Sequence, residues 1–400
     1  MLIFVGVVLL LLLVITHELG HFYAARKAEV EVEEFGIGFP PKAKVLAHKN
    51  GTEYTLNWLP LGGFVKLKGE HDSDTTKGSF GSATLKNKIY IMLAGVVVNA
   101  LTAVFLLTII ALVGLPKVLD NQFTVASDTT IVQQDVVANY VAPGSPAESA
   151  RMKAGDKIIS ITATNVDCEG CLETADASVE YIRESADLSI ATKKYQGRVV
   201  GIYVTRDGED MNLTAKLLST DEVEASRTAT DTCLADVQAV AEDCPVTKGY
   251  LGVIPTDLIK QRSTWSAPVV AVVFSGQVIQ ETFRQFSHII GDLFKGDTST
   301  AKENVTGVVG IGYILGELSK QGFMSILFLT AMISLSLAIM NFLPIPALDG
   351  GRLFVTLLFR GLKRPLTKDT EERIHGTGFM LLMVLFLLIT VVDVQRFILK

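Results

Sequence analysis

A pair of metal-ligand residues is written inside a hydrophobic helix. Residues 2–16 read LIFVGVVLLLLLVIT and run directly into His17-Glu18-Leu19-Gly20-His21. On an α-helix, positions i and i+4 share one face, so the two imidazoles can grip one ion with Glu18 beside it. Charged and metal-binding groups at membrane depth are costly, and their presence there points to function. Two neutral imidazoles and a nearby carboxylate are the groups a hydrolytic zinc requires.

The chain has 400 residues, 49% of them hydrophobic, with a mean hydropathy of +0.38. That is too apolar for an ordinary soluble enzyme, yet the middle of the chain is too charged to be all membrane. Four segments read as spans: 2–25, 89–114, 323–343 and 377–393. Each is near the roughly 20 residues that cross about 30 Å of hydrocarbon. The first lacks a basic region at its start and carries the histidine motif, so it reads as a retained span rather than a cleaved signal. A net charge of −6 gives no reason to expect nucleic-acid binding.

Basic residues orient the spans. Arg26 and Lys27 follow the first, and Lys86 and Lys88 precede the second. Arg352, Arg360, Lys363, Arg364, Lys368 and Arg373 lie between the third and fourth. Both connections, 26–88 and 344–376, are therefore expected to be cytoplasmic, with both termini and the long segment 115–322 outside. All four cysteines, Cys168, Cys171, Cys233 and Cys244, fall in that outer segment. An oxidising compartment permits disulfides there, in any of three pairings. The Cys168-Glu-Gly-Cys171 spacing also admits zinc or redox chemistry.

The predicted architecture is a polytopic α-helical membrane protein with a membrane-associated β-hairpin and an inserted extracytoplasmic α/β domain. Tyr54–Glu70 reads as two short strands broken by Pro60 and the Gly62-Gly63 pair. Residues 120–260 have the composition of a soluble module. A turn at 141–147 leads into a short helix, a glycine turn enters a strand at 153–160, and strands follow at 198–205 and 211–218. The acidic, Thr-rich stretch 219–247 reads as loop. In the connection 267–322, Ile279, Phe283, Phe286, Ile290 and Leu293 recur at helical spacing. They predict a helix over 277–294, lying in the outer interface or packed on the soluble module. A span over 267–290 would bury Gln280, Glu281, Arg284 and Gln285 and is disfavoured.

A hydrolytic zinc takes three protein ligands and leaves one position open. His17 lies about 24 Å along the first helix at 1.5 Å per residue, toward the cytoplasmic side. The third span ends in Asn341-Phe-Leu-Pro-Ile-Pro-Ala-Leu-Asp349-Gly-Gly-Arg352, broken backbone that persists at membrane depth only inside protein or beside a cavity. Asp349 is the carboxylate at a matching depth and is the expected third ligand to one Zn2+ per chain. Glu18 is the expected general base, and Gly20 is expected to allow close approach beside the metal. A helical substrate must unwind before attack, so something must hold it extended. Gly62, Gly63, Phe64, Val65 and the amide of Asn341 are the groups available for that. His48, His71, His288 and His375 lie in polar stretches and read as surface residues.

These residues resemble the site-2 protease family of intramembrane zinc metalloproteases. The closer likeness is to the bacterial branch that cleaves membrane-bound anti-sigma factors. It covers nearly the whole chain: HELGH, FGIGF, PLGGFVKLKGE, a PDZ-like segment with APGSPAESA and KAGDKIISI, and NFLPIPALDGGR. The last matches the family pattern at Asn341, Pro344, Asp349 and Gly350. The resemblance implies zinc on His17, His21 and Asp349, catalysis by Glu18, and substrate handling by Asn341 and Pro344. It implies a bacterial inner-membrane location. The implied partner is a pre-trimmed single-span protein, either anti-sigma-factor-like or a signal-peptide remnant. Three motifs depart from the pattern: Ala94-Gly95-Val96 before Asn99, Thr306–Ile311, and Val392-Asp393. Tyr250-Leu-Gly-Val253 resembles a carboxylate-binding loop or a permuted closing strand. A PDZ scaffold that binds peptide tails without cutting is the alternative, against which the intact Glu18 argues. A zinc carrier would need a string of ligands across the spans, and none is seen.

Overall fold

The computed structural model describes residues 1–163, 178–206, 208–235, 248–295 and 305–399. Cys168, Cys171, Cys244 and the side chain of Cys233 lie outside them, and with these the expected disulfides. The chain forms two units. One holds Met1–Val113, Phe123–Val125 and Thr264–Lys400; the other holds Gly114–Gln122 and Ala126–Ser263.

The first unit opens with α1 (Leu2–Lys27), then β1 (Val32–Lys49), β2 (Thr52–Leu67) and α2 (Leu85–Val113). Helices α1 and α2 cross closely at Gly20, where an added Cβ would stand 2.9 Å from both the Ala94 carbonyl oxygen and Val98 Cγ2. The glycine expected beside the metal thus serves the helix contact. Strands β1 and β2 turn at Asn50-Gly51, both with positive φ (53° and 79°), as a two-residue hairpin requires. The register is unusual: Phe35 and Gly36 face Tyr54 and Thr55, and also Val65 and Phe64. Strand β2 therefore folds so that its two halves flank the start of β1. The expected break near the glycine pair takes this form, and it leaves Gly63–Leu67 on one side of the sheet. Phe22, Phe35, Leu67, Phe80, Ile91 and Met92 are buried together, so one core ties sheet to helices.

The second unit comprises β3 (Leu115–Pro116), β4 (Thr130–Val141), α3 (Pro146–Ser149), β5 (Lys157–Ala163), β6 (Val179–Tyr181), α4 (Ser185–Lys194), β7 (Val199–Arg206), β8 (Glu209–Lys216), α5 (Thr220–Ala235) and β9 (Val253–Arg262). Its sheet runs β3-β9-β4-β5-β7-β8, with β6 added to β5. The expected turns and strands are present. Ser145 caps α3 by accepting the Glu148 amide at 3.2 Å. Asp156, after the Gly155 turn, is buried and takes two hydrogen bonds of 2.6 Å from Arg206. The expected loop over 219–247 is instead helical through Ala235. The signal was legible: the Ser219 hydroxyl accepts the Glu222 amide and the Glu222 carboxylate accepts the Ser219 amide, a capping box. Tyr250–Val253 leads into β9, which pairs with β4 along its length, as a closing strand would.

The first unit resumes with α6 (Ala267–Phe294), α7 (Val308–Lys320), α8 (Phe323–Phe342), α9 (Asp349–Gly361) and α10 (Lys368–Phe397). Helix α6 begins at Ala267, well before the expected Gln277. Ala267, Val270, Ala271 and Phe274 are buried, and the helix packs along α2; Phe283, Phe286, Ile290 and Phe294 stay exposed. Periodicity caught only the amphipathic second half, because the first half is apolar all round. Helices α1, α2, α8 and α10 are long and apolar enough to cross a membrane.

Helix α7 lies where the sequence reading placed a linker. Its first turn is held by Asp393 of α10, buried, which accepts the amides of Gly307 at 3.0 Å and Gly310 at 2.8 Å. A carboxylate at a helix N-terminus satisfies donors that otherwise have no partner. Asp393→Ala is expected to remove about 2 kcal/mol of local stability. Hydrogen exchange of the 307–310 amides should then quicken by about 30-fold, and unchanged protection would show that other groups hold this turn.

Candidate metal centre

His17 and His21 stand one turn apart on α1, and Asp349 is the first residue of α9. Packing of α9 against α2 and α8 carries the carboxylate to the imidazoles. His21 Nε2 lies 3.2 Å from His17 Nε2 and 3.2 Å from Asp349 Oδ2, and the third side of the triangle is 3.3 Å. A tetrahedral zinc with bonds of about 2.0–2.1 Å sets its ligand atoms about 3.3–3.4 Å apart. The three atoms therefore fit one zinc. Among the described residues they form the one cluster of His, Cys, Asp or Glu able to meet at a single ion.

The groups behind the ligands agree. His21 Nδ1 stands 2.8 Å from the Ile91 carbonyl oxygen. An N–H donated there leaves Nε2 free to bind metal. His17 Nδ1 stands 3.1 Å from the Asn99 side-chain nitrogen, and the Asn99 amide oxygen is buried with no partner. Ligation through Nε2 puts a proton on His17 Nδ1, and rotation of the Asn99 amide supplies its acceptor. The Asn99 backbone carbonyl accepts Ser334 Oγ of α8 at 2.8 Å, which fixes α2 at this level. Gly95 supplies the room. A Cβ there would run into both ring nitrogens that face the metal position.

Glu18 lies on the side of the sheet edge. The Val65 amide faces its carboxylate, and its Cγ is 3.2 Å from where a Cβ on Gly63 would sit. A cavity of about 170 Å³ joins these groups. His17, Glu18, His21 and Asp349 line it, as do Phe64, Val65, Leu67 and Arg352. Of the remaining residues expected to touch substrate, Gly62 turns with a φ of 101° just before the edge. Asn341 is half-buried at the end of α8, Pro344 is exposed, and neither lines the cavity.

His48 and His288 are exposed, as expected. His375 departs from the surface reading. It is half-buried, and its Nδ1 accepts the Ala347 amide at 3.1 Å, so α10 braces the loop just before Asp349. His71 lies between Glu371, at 3.8 Å, and Glu372, at 3.5 Å. Sequence reasoning missed Asn99, Gly95 and His375 as supports. The one available signal was Asn99, a lone amide in an apolar run.

Comparison with known proteins identifies the family. Residues 5–385 match the model of peptidase family M50. A provisionally named zinc metalloprotease of Campylobacter jejuni is 30% identical over 96% of this chain and 91% of its own. A similarly named protein of Fusobacterium nucleatum is 29% identical over 98% of both. Zinc metalloprotease RasP of Shouchella clausii is 24% identical over 96% of both.

Proposed function

The chain belongs to peptidase family M50 and is a metalloprotease with four apolar helices able to span a membrane; from that premise we propose that it hydrolyses a peptide bond within or beside the transmembrane segment of a single-span protein. The observation that carries this reading is the triangle of His17, His21 and Asp349 with Glu18 beside it. His17, His21 and Asp349 would hold one zinc, which when bound supplies Lewis acidity that polarises the scissile carbonyl and acidifies water. Glu18 takes the proton of the attacking water and returns it to the leaving amine. His21 and His17 are kept in their ligating tautomers by the Ile91 carbonyl and the Asn99 amide.

The substrate helix must be unwound for its carbonyl to be reached. The side of Gly63–Val65 turned away from β1 offers backbone groups to an extended strand, by the same strand addition that many peptide-binding modules use. Gly62, Gly63, Phe64 and Val65 are the proposed strand-binding residues, with Asn341 and Pro344 shaping the loop that carries Asp349. The basic residues of 26–88 and 344–376 support an orientation with both segments on the cytoplasmic side of a bacterial inner membrane. The unit containing β3–β9 then lies outside, as a PDZ-like module that selects substrates whose external domain has been removed. Anti-sigma-factor-like proteins and signal-peptide remnants are the substrate classes that fit.

The test is cleavage of a single-span model protein, its external domain trimmed, in detergent. Complete zinc removal by a chelator should stop cleavage and one equivalent of zinc should restore it. Cutting that survives full zinc removal would refute the mechanism. Val65→Pro removes a ladder donor from the edge. It is expected to raise KM about tenfold with zinc content unchanged. An unaltered KM would remove the edge from substrate binding.

A further inference from the structure

The same edge carries a second carboxylate. Successive amides of a strand point to opposite sides. The Lys68 amide bonds to the Glu31 carbonyl at 2.9 Å, toward β1. By alternation the amides of Gly63, Val65 and Leu67 face away from β1; Gly63 is buried and the Val65 amide faces Glu18. The Leu67 amide is already taken: it donates to Glu70 Oε1 at 3.0 Å. Glu70 is held in turn by Arg352, whose Nη2 donates to the Glu70 carbonyl at 3.0 Å and stands 3.9 Å from Oε2. Arg352 lies on α9, one turn after Asp349. Leu67 and Arg352 both line the cavity that contains Glu18.

A carboxylate oxygen at 3.0 Å from an outward strand amide occupies the place of a carbonyl oxygen in an added strand. We propose that Glu70 is a built-in competitor for substrate: it fills the third outward donor of the edge, so an incoming strand either ends before Leu67 or displaces the Glu70 carboxylate. This rests on the edge-pairing reading above. Glu70 is then a specificity residue, limiting how far the substrate must be unwound on this side of the cut. A charged acceptor makes a stronger hydrogen bond than a neutral carbonyl, so displacement is costly and the short ladder is preferred.

Direction separates this role from a structural one. If Glu70 merely stops the strand from fraying, its loss weakens substrate binding. If it competes with substrate, its loss strengthens binding, which damage cannot imitate. The experiment measures kcat and KM separately for the full-length protein in detergent. The probe is a trimmed single-span model protein with an Asn-Pro pair in mid-span. Wild type, Glu70→Ala, Glu70→Gln and Val65→Pro are compared. Glu70→Ala is expected to lower KM three- to tenfold, and Glu70→Gln, which keeps an oxygen at the same place, to give a KM nearer the wild type. A KM that is unchanged or raised in Glu70→Ala, while Val65→Pro raises it, would overturn the role of Glu70 and leave the edge reading standing. No effect of Val65→Pro would overturn both.

Discussion

Glu18→Gln is expected to abolish measurable cleavage while one zinc per chain stays bound. The substitution keeps the size of the side chain and its oxygen near the Val65 amide, and it removes only the capacity to take a proton. General base catalysis of this kind contributes about 10²–10⁴-fold, and peptide hydrolysis has little activity to spare beyond that. The proposed ligands His17, His21 and Asp349 are untouched, so their triangle of 3.2 to 3.3 Å is expected to persist and metal binding with it. Single-turnover cleavage of the trimmed single-span protein, read beside zinc content on the same sample, decides the matter. Retained zinc with lost cleavage makes Glu18 the base. Cleavage within a few-fold of wild type would assign proton transfer elsewhere.

Asp349→Ala is expected to cost the metal itself. Two imidazoles on one helix turn remain, and a hydrolytic zinc site with two protein ligands is far weaker than one with three. Asn99→Ala provides the scale. Losing a partner that orients a ligand costs about 10–100-fold in metal affinity. Loss of Asp349 should exceed that clearly, and chelator competition on detergent-purified protein measures both. Retention of stoichiometric zinc at wild-type affinity in Asp349→Ala would exclude it as a ligand. Zinc loss in Asp349→Ala alongside zinc retention in Glu18→Gln would separate the binding and proton-transfer roles of the two carboxylates. That separation is absent from any measurement of activity alone.

The helices were readable because local rules suffice for them. Uninterrupted apolar runs announce α1, α2, α8 and α10, and their ends shift, by two residues at Lys27, four at Leu85 and nine at Lys368, where the turn continues. Misreadings arose where long-range packing outweighs periodicity. The first half of α6 buries one face against α2 and has no polar face to betray it. Helix α7 depends on a carboxylate 83 residues further along the chain, at Asp393. His375 sits among charged residues in sequence, yet its ring reaches back to Ala347.

The HELGH spacing by itself determined that His17 and His21 share a face with Glu18 beside them, because 3.6 residues per turn puts positions 17 and 21 on one face wherever the helix goes. The apolar run before it determined that this face belongs to a helix long and apolar enough to cross a membrane. Only the tertiary structure decided how Asp349, 328 residues from His21, comes within 3.2 Å of it. It also decided that Gly95 rather than Gly20 clears space at the metal, and that the Gly63–Leu67 edge passes Glu18. These are contacts between elements distant in the chain. They are set by which buried faces fit together, and no local periodicity encodes that fit.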